Sequence, residues 1–403
     1  MSVAPTATPR PLDGIRVLEL GQLLAGPFAG TLLAYFGAEV IKVEPPGGDP
    51  IRQWRIVRDG ASLWWRSLGR NKKCVTLNLR DPAGRALARR LAERCDVLIE
   101  NFRPGILEGW GLGPDDLKPV NPGLIFARIS GYGQDGPYAA RPGYASVCEG
   151  IGGLRYVNGV PGEPPVRPNL SLGDTFAGLH AAFGVLLALL DRQRRAPHAG
   201  QTVDVALYES VFNLLEAVVP EYDGVGAIRE PSGSTVTGIV PTGTYRCRDG
   251  KHVIIGGNGD SIYKRLMHAT GRANLAEDPR LAHNAGRVEH QQEIDTAIAA
   301  WTATLDSREA LARLEAAEVP AGPIYNVADM VTDPHFLARG LFETVKIDGN
   351  SLKIPAILPK LAETPGATNW PGPEIGSHNM EVFGGLLGLS AAELATLKGQ
   401  GVF

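Results

Sequence analysis

At 403 residues the chain is longer than one ordinary domain, which predicts two domains or one large domain with an insertion. A net charge of −3 gives no overall pull toward a polyanion, and 44% hydrophobic residues can fill a sizeable core. Four isolated cysteines, Cys74, Cys95, Cys148 and Cys247, form no C-x-x-C pair, which excludes a disulfide framework or zinc ribbon and predicts a reducing, cytoplasmic setting. Gly 50 and Pro 31 make up about a fifth of the residues without a period, so they mark many turns rather than collagen or disorder. Residues 1–14 lack the apolar core of a secretory leader. The apolar run Phe176 to Leu190, interrupted by His180, is too short to span a bilayer, and no membrane partner is expected.

In chain order, Ile15 to Leu20 reads as a strand, Gly21 to Gly26 as a turn, Phe28 to Phe36 as a buried helix and Glu39 to Val43 as a second strand. A strand follows at Cys74 to Leu79, then a helix at Ala83 to Arg94 with Pro82 at its start. Strands are expected at Val97 to Ile99 and Leu124 to Ile129. An apolar helix then runs from Asp174 to Leu190, and strand Thr202 to Ala206 leads into a helix ending near Val218. This alternation predicts an α/β fold, a doubly wound, Rossmann-like large domain over residues 1–220. Residues 221–241 read as a link. A smaller α+β domain is expected over 242–327, with a hairpin around Asp249-Gly250 and helices near 261–270, 290–305 and 308–316. Residues 328–403 would return to the large domain, ending in a helix near Ala391 to Leu397.

The charge is uneven. Between Ile51 and Arg103 stand thirteen Lys or Arg and five acids, an excess of eight. Arg85, Arg89, Arg90 and Arg94 have the spacing of a solvated helical face. Arg70, Lys72, Lys73 and Arg80 fall on a loop and strand, where the local excess would attract a phosphate-rich small molecule or nucleic acid, although the net charge of −3 predicts no nucleic-acid partner. Dinucleotide motifs are a poor match. The first turn reads GQLLAG, although Glu44 closes the second strand as an acid would. The glycines Gly131, Gly133 and Gly136 precede Pro137 and a turn instead of a helix. P-loop, H-E-x-x-H and G-x-S-x-G patterns are missing from the sequence, so no metal site is expected. Asp174 opens the apolar helix. It reads either as its N-cap, or as a nucleophile kept ionised by the helix dipole with Gly173 leaving open space beside it.

These segments, in this order, resemble the family III CoA-transferases, the group of formyl-, carnitine- and succinyl-CoA-dependent enzymes. They are PLDGIRVLEL at 11–20, LLAGPFAG at 23–30, FGAEVIKVEPPGGDP at 36–50, RNKKCVTLNL at 70–79, ENFRPG at 100–105, ISGYGQDGPYAARPGY at 129–144, LGD at 172–174 and VPAGPI at 319–324. The resemblance implies that Asp174 is the nucleophile, forming an aspartyl anhydride and then an aspartyl-CoA thioester. By position it implies coenzyme contacts at Leu24, Ala25, Leu77, Arg80, Asn101, Phe102, Arg103, Arg141 and Tyr144, and a mobile glycine loop at Thr237 and Gly238. Leu24, Pro45 and Ala145 depart from the formyl-CoA members, which argues against formate and oxalate as substrates. The EPPVRP, TGIVP and GQTVDVALYESVF segments favour the succinyl-CoA:dicarboxylate group, in which Arg52, Arg141 or Arg167 would hold the second carboxylate. The resemblance further implies an interlocked, ring-like homodimer, or pairing with a related second subunit, and CoA as substrate with no tightly bound cofactor. An α-methylacyl-CoA racemase of the same fold is the alternative, but its histidine base falls at Tyr144. A non-catalytic CoA-binding module is the distant one.

Overall fold

A computed structural model describes residues 9–403, so the leader reading of residues 1–14 falls largely outside it. The contacts divide the chain into two compact units. One comprises residues up to Leu154, Pro168–Glu216 and His335–Phe403; the other comprises Arg155–Arg167 and Ala217–Pro334. Residues 155–167 therefore group with the second unit rather than with the expected first domain. A helix at Val218–Val225 occupies the start of the expected link.

The first unit is built on six parallel strands: β1 (Arg16–Glu19), β2 (Glu39–Glu44), β3 (Lys72–Thr76), β4 (Val97–Glu100), β5 (Ile125–Ser130) and β6 (Thr202–Ala206). Their order across the sheet is 3-2-1-4-5-6, that of doubly wound sheets, so the chain reverses its direction of winding between β1 and β4. β1 to β5 are buried on both faces and read as near-continuous apolar runs, apart from the charges discussed below. One face is covered by α1 (Ala25–Tyr35) and α4 (Leu172–Arg194), the other by α2 (Pro82–Ala92) and the C-terminal segment.

Local sequence explains these elements. Asp81 accepts a hydrogen bond from the Ala83 amide at 2.8 Å, and Pro82 fills the first helical position, so α2 starts there. α4 starts at Leu172, two residues before Asp174, with Ser171 at its N-cap. Asp174 is thus a first-turn residue and not the N-cap, one of its two readings from the sequence. At 23 residues α4 is long and apolar enough to cross a bilayer, unlike the shorter run seen in the sequence. Its small residues nevertheless dock it on α1 and on the sheet: a Cβ at Gly178 would stand 2.7 Å from the Ala25 carbonyl oxygen of α1, and one at Gly184 2.5 Å from Val203 of β6.

The polar tail after Phe342 forms a hairpin, Phe342–Ile347 with Asn350–Pro355, which its composition hid. Further on it seals the sheet edge. His378 and Asn379 accept hydrogen bonds from the Cys74 and Thr76 amides of β3 at 3.1 and 2.9 Å. The second unit carries a three-stranded antiparallel sheet that includes the expected hairpin, Thr242–Arg246 with His252–Gly256, turned by Gly250 in the left-handed region. Its helices include Asp260–Ala269, Gln291–Thr302 and Ser307–Ala316.

Candidate active site

A doubly wound sheet presents a crevice beyond the carboxyl ends of its strands, where winding reverses. That is β1 and β4 here, and a cavity of about 380 Å³ lies against the residues that follow them. Gln22, Leu23 and Ala25 come from the turn after β1, and Asn101, Phe102, Arg103 and Pro104 from the loop after β4. The end of β5 and its loop give Ile129, Ser130, Gly131, Arg141, Pro142, Gly143 and Tyr144; Asp174 on α4 and Leu207 complete the lining.

Asp174 is half-buried in the first turn of α4, where the aligned peptide dipoles favour a negative charge. Gly173 is needed there for a different reason from the one expected. It is buried, and a Cβ on it would come within 3.1 Å of the Ala145 Cβ and 3.2 Å of Glu149 Cγ, on α3 (Ala145–Ile151). The space beside Gly173 is therefore filled by α3 rather than left open for a ligand. Glu149, itself buried, accepts the Gly173 N–H at 3.2 Å and so caps the turn that carries Asp174. Next to it, burial and then the charge of Asp174 push the Cys148 thiol up to about 11, which keeps it protonated. At neutral pH the Cys148 thiol is therefore a poor nucleophile.

Arg103 and Arg141 are exposed at the rim. Arg103 donates to the Ala140 carbonyl at 3.4 Å, and the Arg141 guanidinium lies 3.6 Å from the centre of the Tyr138 ring. Tyr144, at the N-cap of α3, is 75% exposed and its ring is accessible. Phe102 packs edge-on against Trp110. Asn101 faces the cavity, but both ends of its amide are occupied: Oδ1 accepts the Gln22 N–H and Nδ2 donates to the Gln22 carbonyl, each at 2.8 Å.

Other candidates are placed elsewhere. Leu24 is buried with Ile51 and Trp65, Leu77 lies in the core beneath α2, and Arg80 is exposed away from the cavity lining. Arg52 is 3% exposed and committed internally. Its Nε and Nη2 donate to Glu44 at 2.6 and 2.7 Å, Nη1 donates to the Pro373 carbonyl, and Trp65 stacks at 3.9 Å. Buried and with three of its N–H groups so committed, it is not presented to a substrate carboxylate, and Glu44 is not free to hold a ribose. Lys72 and Arg70 are likewise spent, Lys72 on Glu19 and the Pro27 carbonyl and Arg70 on Glu343 and backbone oxygens. Of the basic excess, Arg52, Arg66, Arg70 and Lys72 are thus buried within the fold, whereas Arg55, Arg58, Arg80, Arg94 and Arg103 stay exposed. Thr237 and Gly238 are the central pair of a tight turn in the second unit, closed by an Ile239 N–H to Val236 carbonyl bond of 3.2 Å, with Gly238 at φ +77°. Among the described residues no cluster of His, Cys, Asp and Glu is placed to hold a metal.

Gln22, Leu23, Ser130 and Gly131 were not expected in the site. Their common signal is position just beyond a strand's carboxyl end, which becomes meaningful only once the strand order is known.

Comparison with known proteins points the same way. The profile described as CoA-transferase family III matches residues 12–379. The chain is 48% identical over 397 residues to a succinyl-CoA–D-citramalate CoA-transferase of Chloroflexus aurantiacus, covering 98% of each chain. It is 42% identical to the alpha subunit of a succinyl-CoA–L-malate CoA-transferase from Chloroflexus aurantiacus, covering 97% of this chain and 92% of that one. Among solved structures, a CAIB/BAIF family protein from Brucella suis superposes with a TM-score of 0.83 at 33% identity, over 94% of this chain and 99% of that one.

Proposed function

Because the chain belongs to CoA-transferase family III, we propose that it moves coenzyme A from succinyl-CoA to a dicarboxylic acid such as malate or a relative, with Asp174 as the covalent relay. The observation that carries this reading is the convergence of Asp174, Arg103, Arg141 and Tyr144 on one cavity at the reversal of the sheet.

In this reading an Asp174 carboxylate oxygen attacks the thioester carbonyl, the C–S bond breaks, and CoA leaves as thiolate from a mixed anhydride. The thiolate then attacks the aspartyl carbonyl and releases succinate, leaving an aspartyl-CoA thioester. The acceptor carboxylate attacks that thioester, giving its own anhydride with Asp174 and freeing the thiolate again. The thiolate finally attacks the acceptor's acyl carbon and restores the Asp174 carboxylate. No water enters, so the thioester energy is retained. Each tetrahedral step wants N–H donors for its oxyanion. Arg141 takes the second, unreacting carboxylate of the dicarboxylate, and Arg103, with Ala25 and Phe102 beside it, takes the coenzyme.

A second copy of the chain, or a related subunit, would cover α4, where Leu179, Phe183, Leu186, Leu187 and Leu190 stand 43–58% exposed. Four unpaired, buried thiols fit a cytoplasmic protein.

Incubation with succinyl-CoA followed by hydroxylamine should leave a hydroxamate on Asp174, in a protein that sediments as a dimer. Freshly prepared Asp174→Asn should lose about a thousandfold or more of the transfer rate. Full transfer by that variant would overturn the reading. α-Carbon deuterium exchange without transfer would identify a racemase instead.

A further inference from the structure

Beneath the cavity wall lies a chain of buried charges that the transfer chemistry does not use. Glu19 on β1, Lys42 on β2 and Lys72 on β3 have no exposed side-chain surface, and Asp49 is 1% exposed. Lys42 Nζ sits 2.9 Å from Asp49 Oδ2 and 3.2 Å from Glu19 Oε1, and donates to the Gly21 carbonyl at 2.7 Å. Lys72 Nζ completes the set, 2.8 Å from Glu19 Oε2. Burial opposes the charge on Lys42, but Asp49 and then Glu19 outweigh it and hold its pKa above the usual value.

Such charges are costly to bury unless a specific geometry needs them. What they reach here is the turn after β1. Leu23 lines the cavity with φ +63°, a left-handed conformation that non-glycine residues rarely adopt. Its N–H points at Asp49, 3.1 and 3.2 Å from the two carboxylate oxygens. Asp49 is fixed in turn by Lys42 and by its own N–H, which donates to Glu44 at 2.8 Å. The carboxylate thus compensates a strained peptide at one point of the cavity wall, directly before Ala25 and α1.

We propose that Asp49, clamped by Lys42 and Glu19, is a positioning residue for the reaction: it holds the Leu23 peptide in its left-handed form and so fixes the cavity wall that Asp174 shares. Asp49→Asn keeps the size of the side chain. Its NH₂ must replace either Oδ2, which faces the Lys42 ammonium, or Oδ1, which also accepts the Ile51 N–H at 3.0 Å, and in both orientations one branch of the forked Leu23 N–H contact becomes donor against donor. The strained turn then relaxes. Glycine at position 23 adopts φ +63° without penalty, so Leu23→Gly should make the wall indifferent to the loss.

The test is a double-mutant cycle. D49N should lower kcat/KM about tenfold or more in the wild-type background and threefold or less in the L23G background. Amide exchange in the peptide spanning residues 20–28 should quicken about tenfold or more in D49N. A residue that only stabilised the fold would give equal losses in both backgrounds. Equal losses, or unchanged exchange in that peptide, would overturn the proposal. If D49N does not fold, Asp49→Glu keeps a charge for Lys42 but displaces the oxygens from the Leu23 amide, and should show the same pattern. Only the kinetic arm rests on the transferase reading. Absence of turnover in the wild type would sink that reading, while the exchange arm would still judge the turn.

Discussion

Arg52, Arg70 and Lys72, on one side, and Arg103 and Arg141, on the other, are alike in charge and differ in surroundings. The first three are at most 3% exposed and find their partners inside the fold: Glu44, Glu343 and Glu19. The other two are exposed at a cavity rim, where among the described residues a carbonyl at 3.4 Å or an aromatic face holds them. A count of basic residues cannot separate the groups, because it sees the cations and not the distant acids that neutralise them. Glu19 lies 53 positions before Lys72, and Glu343 lies 273 after Arg70. A buried cation with a partner stabilises a shape, while a rim cation without an acid partner nearby remains available to a ligand.

The sharpest way to break this contrast is Arg52→Ala. It strands Glu44 in the core and should cost about 3–5 kcal/mol in urea unfolding, with no change in the preference between mono- and dicarboxylate acceptors. Unchanged stability together with a selective rise in KM for dicarboxylates would return Arg52 to the binding site.

Glu100 tests the buried class through pH. Burial pushes it up to about 7, against the pull of Arg128 at 2.8 Å and the Phe102 amide, from an ordinary value of 4.5. The fold therefore favours its neutral form. As pH rises from about 4.5 to 7 the unfolded chain loses this proton first, and the native state loses stability relative to it. Between pH 4.5 and 7.5 wild type should lose on the order of 2–3 kcal/mol relative to Glu100→Gln. A stability difference that stays flat over that window would show that Arg128 and not burial governs the pair.

The rim class should give the smallest effect on folding and a specific one on kinetics. Arg141→Ala should raise KM for a dicarboxylate acceptor about tenfold or more, spare a monocarboxylate, and leave unfolding within about 0.5 kcal/mol of wild type. Equal effects on both acceptors would remove Arg141 from the second carboxylate.

The alternation of strands and helices in the first unit was legible because each strand is a short apolar run closed by a turn residue. Asp81 with Pro82, and Asp249 with Gly250, mark their boundaries by local chemistry alone. The hairpin Phe342–Ile347 with Asn350–Pro355 was not, because each strand alternates over only two apolar positions, Val345 with Ile347 and Leu352 with Ile354, too short a pattern to stand out in a polar tail. Residues 155–167 read as part of the first domain, since the contacts that group them with the second unit are distant in sequence.

For the site, the order of short motifs singled out Asp174 and the loop from Asn101 to Arg103. It also named Leu24, Leu77, Arg80 and Arg52, which lie off the cavity. Position in a motif carries no information about the direction of a side chain: Ala25 lines the cavity, and its neighbour Leu24 is turned into the core.

The amino-acid sequence by itself determined the family, the alternating α/β plan, the helix that carries Asp174 and the local signals at its turns, because these depend on neighbours within a few residues. Tertiary structure alone decided which charges are spent inside, why Gly173 must be small, and how the Leu23 peptide is held. Those outcomes depend on groups tens to hundreds of residues apart that the 3-2-1-4-5-6 sheet brings within hydrogen-bonding distance.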